Sequence, residues 1–179
     1  MTSALPQYVI LKNGLKVLIR EVREDDGPKL IEMFESLSDE TKYTRFMKYR
    51  KSLDLDDLKP FLHSDSKNLA IVAELFKNVH SIIIADGRYV LDEPPHGANV
   101  GIVVRDDYQR LGLATQMLSI MIDIAKENGI KYFHGEILLE NSKMLNFIHK
   151  TGYKYEYHDE RGVRFFNIDL EQIKTPLSI

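Results

Sequence analysis

The run Val103-Val104-Arg105-Asp106-Asp107-Tyr108-Gln109-Arg110-Leu111-Gly112-Leu113-Ala114 is where residue type and spacing come nearest to a chemical statement. An apolar, strand-like stretch ends at Val104, and Gln109-Arg110-Leu111-Gly112-Leu113-Ala114 opens a long amphipathic helix at Arg110. Small residues at a strand-to-helix turn let a phosphate reach bare backbone N–H groups at the positive end of the helix. That geometry suits a diphosphate, with Arg110 as a fixed cation beside it. A helix start whose glycine serves a close packing contact is the plainer alternative. The run is not a P-loop, because no Gly-Lys-Ser/Thr follows, and not a dinucleotide fingerprint, because the first glycine is missing.

Groups that could move a proton are scattered. His96 sits in the loop Asp92-Glu93-Pro94-Pro95-His96-Gly97, and histidine is the residue type best suited to proton transfer near neutral pH; the same residues read equally well as an exposed turn. Glu136 lies inside a strand, where a carboxylate either faces a cleft or pairs with a nearby Lys or Arg. Glu74 presents the same choice, and His134 and His149 read as packing or surface residues. The chain has no cysteine, which excludes disulfides, thiolate metal ligands and an acyl-cysteine intermediate. No metal is expected.

The elements that must position these groups follow from periodicity and punctuation. Tyr8 to Leu11 and Lys16 to Arg23 read as strands around Lys12-Asn13-Gly14. Helices follow from Pro28 to Leu37, from Ser38 to about Met47, and near Asp54 to His63. Leu69 to Phe76, Ser81 to Leu91 and Ala98 to Val104 read as strands of a central antiparallel meander. The helix from Arg110 to Asn128 carries two apolar rows and ends at Gly129. Then come a strand from Ile130 to Leu139, a helix from Asn141 to Lys150 and a hairpin, Tyr153 to His158 and Val163 to Leu170, around Asp159-Glu160-Arg161-Gly162. The order predicts an α/β domain, a mixed sheet with central antiparallel strands and helices on both faces.

A length of 179 residues implies one domain over 1–179. A hydrophobic share of 44% and a charged share of 28% are those of an ordinary soluble protein. A net charge of -3 argues against a general nucleic-acid binder. No window approaches the ~18 apolar residues of a spanning helix, and the N-terminus lacks the pattern of a secretory signal. The expectation is a cytoplasmic protein with no nucleic-acid or membrane partner.

The order Gln109-x-x-Gly112-x-Ala114 resembles the acyl-CoA pyrophosphate loop of the GNAT superfamily of N-acetyltransferases. Glu140-Asn141-Ser142-Lys143-Met144-Leu145 to Gly152-Tyr153 resembles that family's Asn-bearing helix and its closing Gly-Phe/Tyr. Arg20 to Asp26 resembles its opening Arg-x-x-x-x-Glu-Asp segment. Ser38 to Met47, with Tyr43-x-Arg45-Phe46, together with Val103 to Gln109, is similar to the Pat-type protein lysine acetyltransferases. The resemblance runs from Leu15 to Tyr157. It implies a sheet splayed at an acyl-CoA site and acetyl-CoA as co-substrate. It also implies cofactor contacts from Gln109, Arg110, Leu111, Gly112, Leu113, Ala114 and Thr115, from Asn141 and Met144, and from the backbone N–H groups of Ile102, Val103 and Val104. Arg45 and Phe46 would shape the acceptor side.

Two departures stand out. Pat-type members generally carry a Glu where this chain has Asn99, and many family members place a reprotonating Tyr where this chain has Ile148. An amide cannot accept a proton at neutral pH, although it can hold a water or the amine. Asn99, His96 and Glu136 are therefore the catalytic candidates. Three functions follow from the resemblance: acetyl transfer to a protein lysine, acetyl transfer to a small amine such as a polyamine, or a catalytically weak acyl-CoA-binding regulatory domain. Either a monomer or a homodimer is compatible with the last strands.

Overall fold

β1 (Gln7–Ile10) and β2 (Lys16–Glu21) form a hairpin whose turn needs a left-handed residue, supplied by Gly14 at φ 84. The computed structural model describes residues 5–65, 67–93 and 96–173. β3 (Asn68–Lys77), β4 (His80–Glu93) and β5 (Gly97–Val104) continue antiparallel, and after α4 (Leu113–Glu127) the chain returns as β6 (Tyr132–Leu138), parallel to β5. The hairpin β7 (Tyr153–Glu160) and β8 (Val163–Ile173) completes one eight-stranded sheet in the order β1-β2-β3-β4-β5-β6-β8-β7.

Strand alternation splits the core into two layers. On one face Ile71, Ile84, Ile102, Val104, Phe133 and Ile137 pack with Met117, Met121 and Ala125 of α4 and Ile148 of α5 (Ser142–His149). On the other, Val72, Ile83 and Val103 pack with Leu30, Met33 and Phe34 of α1 (Gly27–Glu35). The same face carries α2 (Asp39–Phe46) and α3 (Leu55–Leu58). The mixed α/β sheet with helices on both faces is as the sequence predicts. Among the described residues no helix is long and apolar enough to cross a membrane.

Among the boundaries that differ from expectation, three have a clear backbone reason. α4 starts at Leu113, not Arg110, because Arg110 and Gly112 sit at φ 61 and 87, outside any right-handed helix. The helix near Asp54 to His63 is a single α turn followed by a 3-10 turn at Lys59–Phe61, where Pro60 lacks the N–H needed to continue. The last hairpin turns on Arg161 and Gly162 alone, at φ 49 and 82, so its strands run longer than expected. Pro94 and Pro95 of the expected loop lie outside the described residues.

Candidate active site

β5 and β6 pair only at Gly97↔Tyr132, Ala98↔Phe133 and Asn99↔His134. Beyond that point β5 stays bonded to β4 as far as Val104, and β6 stays bonded to β8 as far as Leu138. Their facing edges part, leaving backbone groups that a sheet would normally use for its ladder. A cleft of about 470 Å³ opens there, lined by Val100 to Val104 of β5, Glu136 and Ile137 of β6, the start of α4, and α2 and α5.

The turn at the mouth of the cleft is held by its own residues. The Gln109 amide donates to the Val104 carbonyl at 3.0 Å, and the Lys12 N–H donates to the Leu111 carbonyl at 3.1 Å. Gly112 is the residue before α4 and makes no side-chain cap, so the first N–H groups of α4 carry no side-chain acceptor. The Lys12 stem passes 3.8 Å from where a Gly112 Cβ would stand, and both residues line the cleft. A positive helix end with Arg110 and Lys12 lining the same cleft has the chemistry to receive an anion.

Two helices close the sides. The Asp106 carboxylate accepts from the Ser38 N–H, the Ser38 hydroxyl and the Thr41 hydroxyl at 2.9, 2.8 and 2.7 Å, tying the start of α2 to the turn. On α5, the Asn141 carbonyl oxygen caps the helix by accepting from the Met144 N–H at 3.1 Å, leaving its NH₂ free to act elsewhere. Lys143 of α5 reaches Glu40 of α2 at 3.4 Å.

The sequence candidates separate cleanly by position. Ile102, Val103, Val104, Gln109, Arg110, Gly112, Leu113, Ala114, Thr115, Asn141 and Met144 all line the cleft; Leu111 does not, and takes part through its carbonyl bond to Lys12. Glu136 lines it too, is solvent-exposed, and has no hydrogen bond or ion pair among the described residues. Since Phe133 and Ile137 belong to the α4 layer, Glu136 faces the α1/α2 side. Asn99 is exposed at the fork, on that same side, but is not part of the lining. His96 lies at the far end of β5: its carbonyl accepts from the Lys131 and Tyr132 N–H groups, and its Nδ1 is 3.2 Å from the Gly129 carbonyl, next to the end of α4.

Glu74 belongs to a buried ion network instead. Its carboxylate takes Arg20 and Lys29 at 2.7 Å each, and Ser81 donates to it. Burial alone would raise the Glu74 carboxyl, but the bonds from Arg20, Lys29 and Ser81 outweigh it and hold the group down at about 2. His134 bonds Asp92 at 2.7 Å and His149 faces the Tyr155 hydroxyl at 3.4 Å.

Sequence reasoning missed three lining cations, Lys12, Lys143 and Lys150. Lys12 comes from the β1–β2 turn, roughly a hundred residues from the loop it touches, and no local pattern marks it. Lys143 and Lys150 flank the Asn141 segment and could have been found as a basic row on that helix. Arg45 of α2 stands apart. Its guanidinium lies against Gly101, where an added Cβ would come within 2.7 Å of Nη2, and its Nε is sealed with no hydrogen-bond partner among the described residues. Burial lowers the Arg45 pKa, Asp86 pulling it up and Arg88 down, but a guanidinium stays charged.

A parallel pair that splits beside the strand-to-helix turn is the splayed sheet that the resemblance implies. Residues 16–154 match the model of the acetyltransferase (GNAT) domain. The chain belongs to that family. It is an N-acetyltransferase, and its relatives bear this out. An acetyltransferase of Pseudomonas aeruginosa is 26% identical over 144 residues, 80% of this chain and 77% of that protein. Acetyltransferase Pat of Mycolicibacterium smegmatis is 25% identical over 171 residues, 95% of this chain but 50% of that protein. The crystal structure of the GNAT domain of S. lividans PAT superposes with a TM-score of 0.81 at 29% identity, covering 92% of this chain and 96% of that one.

Proposed function

We propose that this GNAT domain transfers the acetyl group of acetyl-CoA to the side-chain amine of a protein lysine, in a cytoplasmic setting. The observation that carries this reading is the opening of β5 from β6 directly beside the Gly112 turn, with an unpaired Glu136 across the gap. The CoA diphosphate would rest on the N–H groups of Leu113, Ala114 and Thr115 between Arg110 and Lys12. Pantetheine would follow the open edge of β5, with the Asn141 amide alongside. Backbone N–H groups at Ile102 to Val104 would polarise the thioester carbonyl.

A lysine amine titrates near ~10.4, so only a few in ten thousand are neutral at pH 7. Glu136 accepts the proton, directly or through a water, as nitrogen attacks the thioester carbon. The attacking nitrogen gives up its remaining extra proton to solvent, the tetrahedral oxyanion collapses, the C–S bond breaks, and the thiolate takes a proton from solvent, in keeping with Ile148 in place of a Tyr. Asn99, at the fork, holds the amine or its water. His96 is too far along β5 for this role.

A small amine is the second reading. Glu40 and Glu136 both line the cleft and would suit the charges of a polyamine. The deciding experiment incubates the protein with acetyl-CoA and either lysine-bearing proteins or spermidine, and follows acetyl transfer by mass spectrometry. Acetylation on protein lysines at rates well above the background supports the first reading; transfer to spermidine alone replaces it with the second; acetyl-CoA binding without transfer to any amine contradicts both.

Gly112→Asp tests the cofactor end. Any non-glycine residue at φ 87 is strained, and a carboxylate there opposes the incoming diphosphate. Affinity for acetyl-CoA falls on the order of 10- to 100-fold by calorimetry; unchanged affinity would remove the diphosphate from this turn.

A further inference from the structure

Arg45 is a half-buried charge, with its Nε closed off, that has no purpose in the steps above. Its Nε is the buried side-chain polar atom that lacks a hydrogen-bond partner among the described residues. Native structures leave few such groups, and each needs an explanation. Asp86, the carboxylate whose charge acts on Arg45, does not supply one, because it is taken by the Nε of Arg88 at 3.0 and 2.8 Å. Nor does the cofactor end, because the diphosphate turn has its own cations, and Gly101, against which Arg45 lies, faces the α1/α2 side of the sheet. One guanidinium face is covered by the Phe46 ring, with Cζ 5.5 Å from its centroid. The seat depends on Gly101 having no Cβ. The result is a planar fork of donors held still in the same cleft, and on the same side of the sheet, as Glu136.

We infer that Arg45 recognises a carboxylate carried by the acceptor, so that the preferred substrate presents an amine to Glu136 and a carboxylate to Arg45. This rests on the N-acetyltransferase reading for what the cleft does. A guanidinium and a carboxylate match in plane and spacing, giving two parallel charge-assisted bonds, here from Nη1 and Nη2, since Nε is closed off from the cleft. The carboxylate belongs either to an acidic side chain next to the target lysine or to the α-carboxylate of a free amino acid. Both satisfy the same fork.

The test measures binding to the CoA-loaded protein by calorimetry, so that it does not depend on turnover. The probes are the blocked peptide amide Ala-Lys-Ala, the same peptide with Glu beside Lys, and free L-lysine. At least one carboxylate-bearing probe binds about 10- to 100-fold more tightly than the peptide without a carboxylate, the range of a bond to a charged group. Which one does so separates an acidic peptide from an amino acid. Arg45→Met erases the difference and Arg45→Lys restores part of it. Gly101→Ala, which keeps the charge but removes its seat, also diminishes it, so a poorly folded Arg45 variant does not decide the matter. Equal affinity of wild type for all three probes, or no binding by any, overturns the inference, as does an equal loss for all three in Arg45→Met. A preference for succinyl-CoA over acetyl-CoA that vanishes in Arg45→Met would also overturn it by moving the carboxylate to the acyl chain. Carboxylate selectivity with no acetyl transfer to any amine would sink the transferase reading and leave this inference standing.

Discussion

Glu136→Gln lowers kcat for amine acetylation by about 10²- to 10⁴-fold, the span a positioned general base contributes. The side chain keeps its shape and its place on β6, so the affinity for acetyl-CoA changes little. What is lost is the acceptor for a proton that a lysine amine holds tightly below about pH 10. The variant's residual rate should therefore climb about tenfold per pH unit through the neutral range, following the neutral fraction of the amine. Initial rates at saturating acetyl-CoA across pH 6 to 9 read this directly. A loss under about threefold, with an unchanged pH profile, would mean that solvent takes the proton and that Glu136 serves only to attract the cationic acceptor. The companion Asn99→Glu variant places a carboxylate where Pat-type members generally have one. Restored turnover in the Asn99→Glu, Glu136→Gln double variant would locate the base function on either side of the fork.

Arg20→Met destabilises the fold by about 3–5 kcal/mol, because removing one partner of a buried ion pair strands the others. Arg20 is 3% exposed and holds both oxygens of Asp26 at 2.7 Å and one oxygen of Glu74 at 2.7 Å. Glu74 would keep Lys29 and Ser81, but Asp26, 2% exposed, would retain only the Arg23 N–H at 2.8 Å. At ~2–4 °C per kcal/mol for a chain of this size, the melting temperature drops on the order of 10 °C. The network also fixes a pH dependence. Glu74 titrates at about 2 in the folded state, below its ordinary value, and the Asp26 carboxyl is lowered too, its hydrogen bonds from Arg20 and Arg23 outweighing burial. Groups depressed by folding stabilise it fully above their ordinary values near ~4 and lose that contribution as pH falls towards the folded ones. Wild type therefore loses stability steeply between about pH 4 and pH 2, and Arg20→Met begins to unfold at a higher pH. Thermal melts and acid titrations followed by circular dichroism would register both. An unchanged melting temperature would mean that the two carboxylates are hydrated once Arg20 is gone.

Much of this architecture was legible in the residues. Strands and helices announced themselves through runs such as Leu69 to Phe76 and the double apolar row of α4, because burial on a sheet imposes period 2 or 3.6 locally. Gly112 and Ala114 marked the strand-to-helix turn at the cleft for the same local reason. The start of α4 was misplaced because Arg110 adopts φ 61, a conformation its residue type does not announce. The site's long-range parts were out of reach. Lys12 meets Leu111 only because the β1–β2 hairpin folds across the turn, and the unpartnered guanidinium of Arg45 exists only against Gly101. Glu136 and Glu74 looked alike as strand carboxylates; burial beside Arg20 made one structural, and the split of β5 from β6 left the other open.

Acetyl transfer by this chain requires that the cleft between β5 and β6 take an acyl-CoA. Calorimetric titration of acetyl-CoA into the intact chain, with adenosine 3′,5′-bisphosphate and free pantetheine as separate titrants, measures this. The account predicts saturable micromolar binding of acetyl-CoA at one site per chain, much tighter than either fragment, since turn and open strand edge are engaged together. No heat, or affinity no better than that of the bisphosphate alone, would contradict it: the open edge of β5 would then not be a pantetheine track.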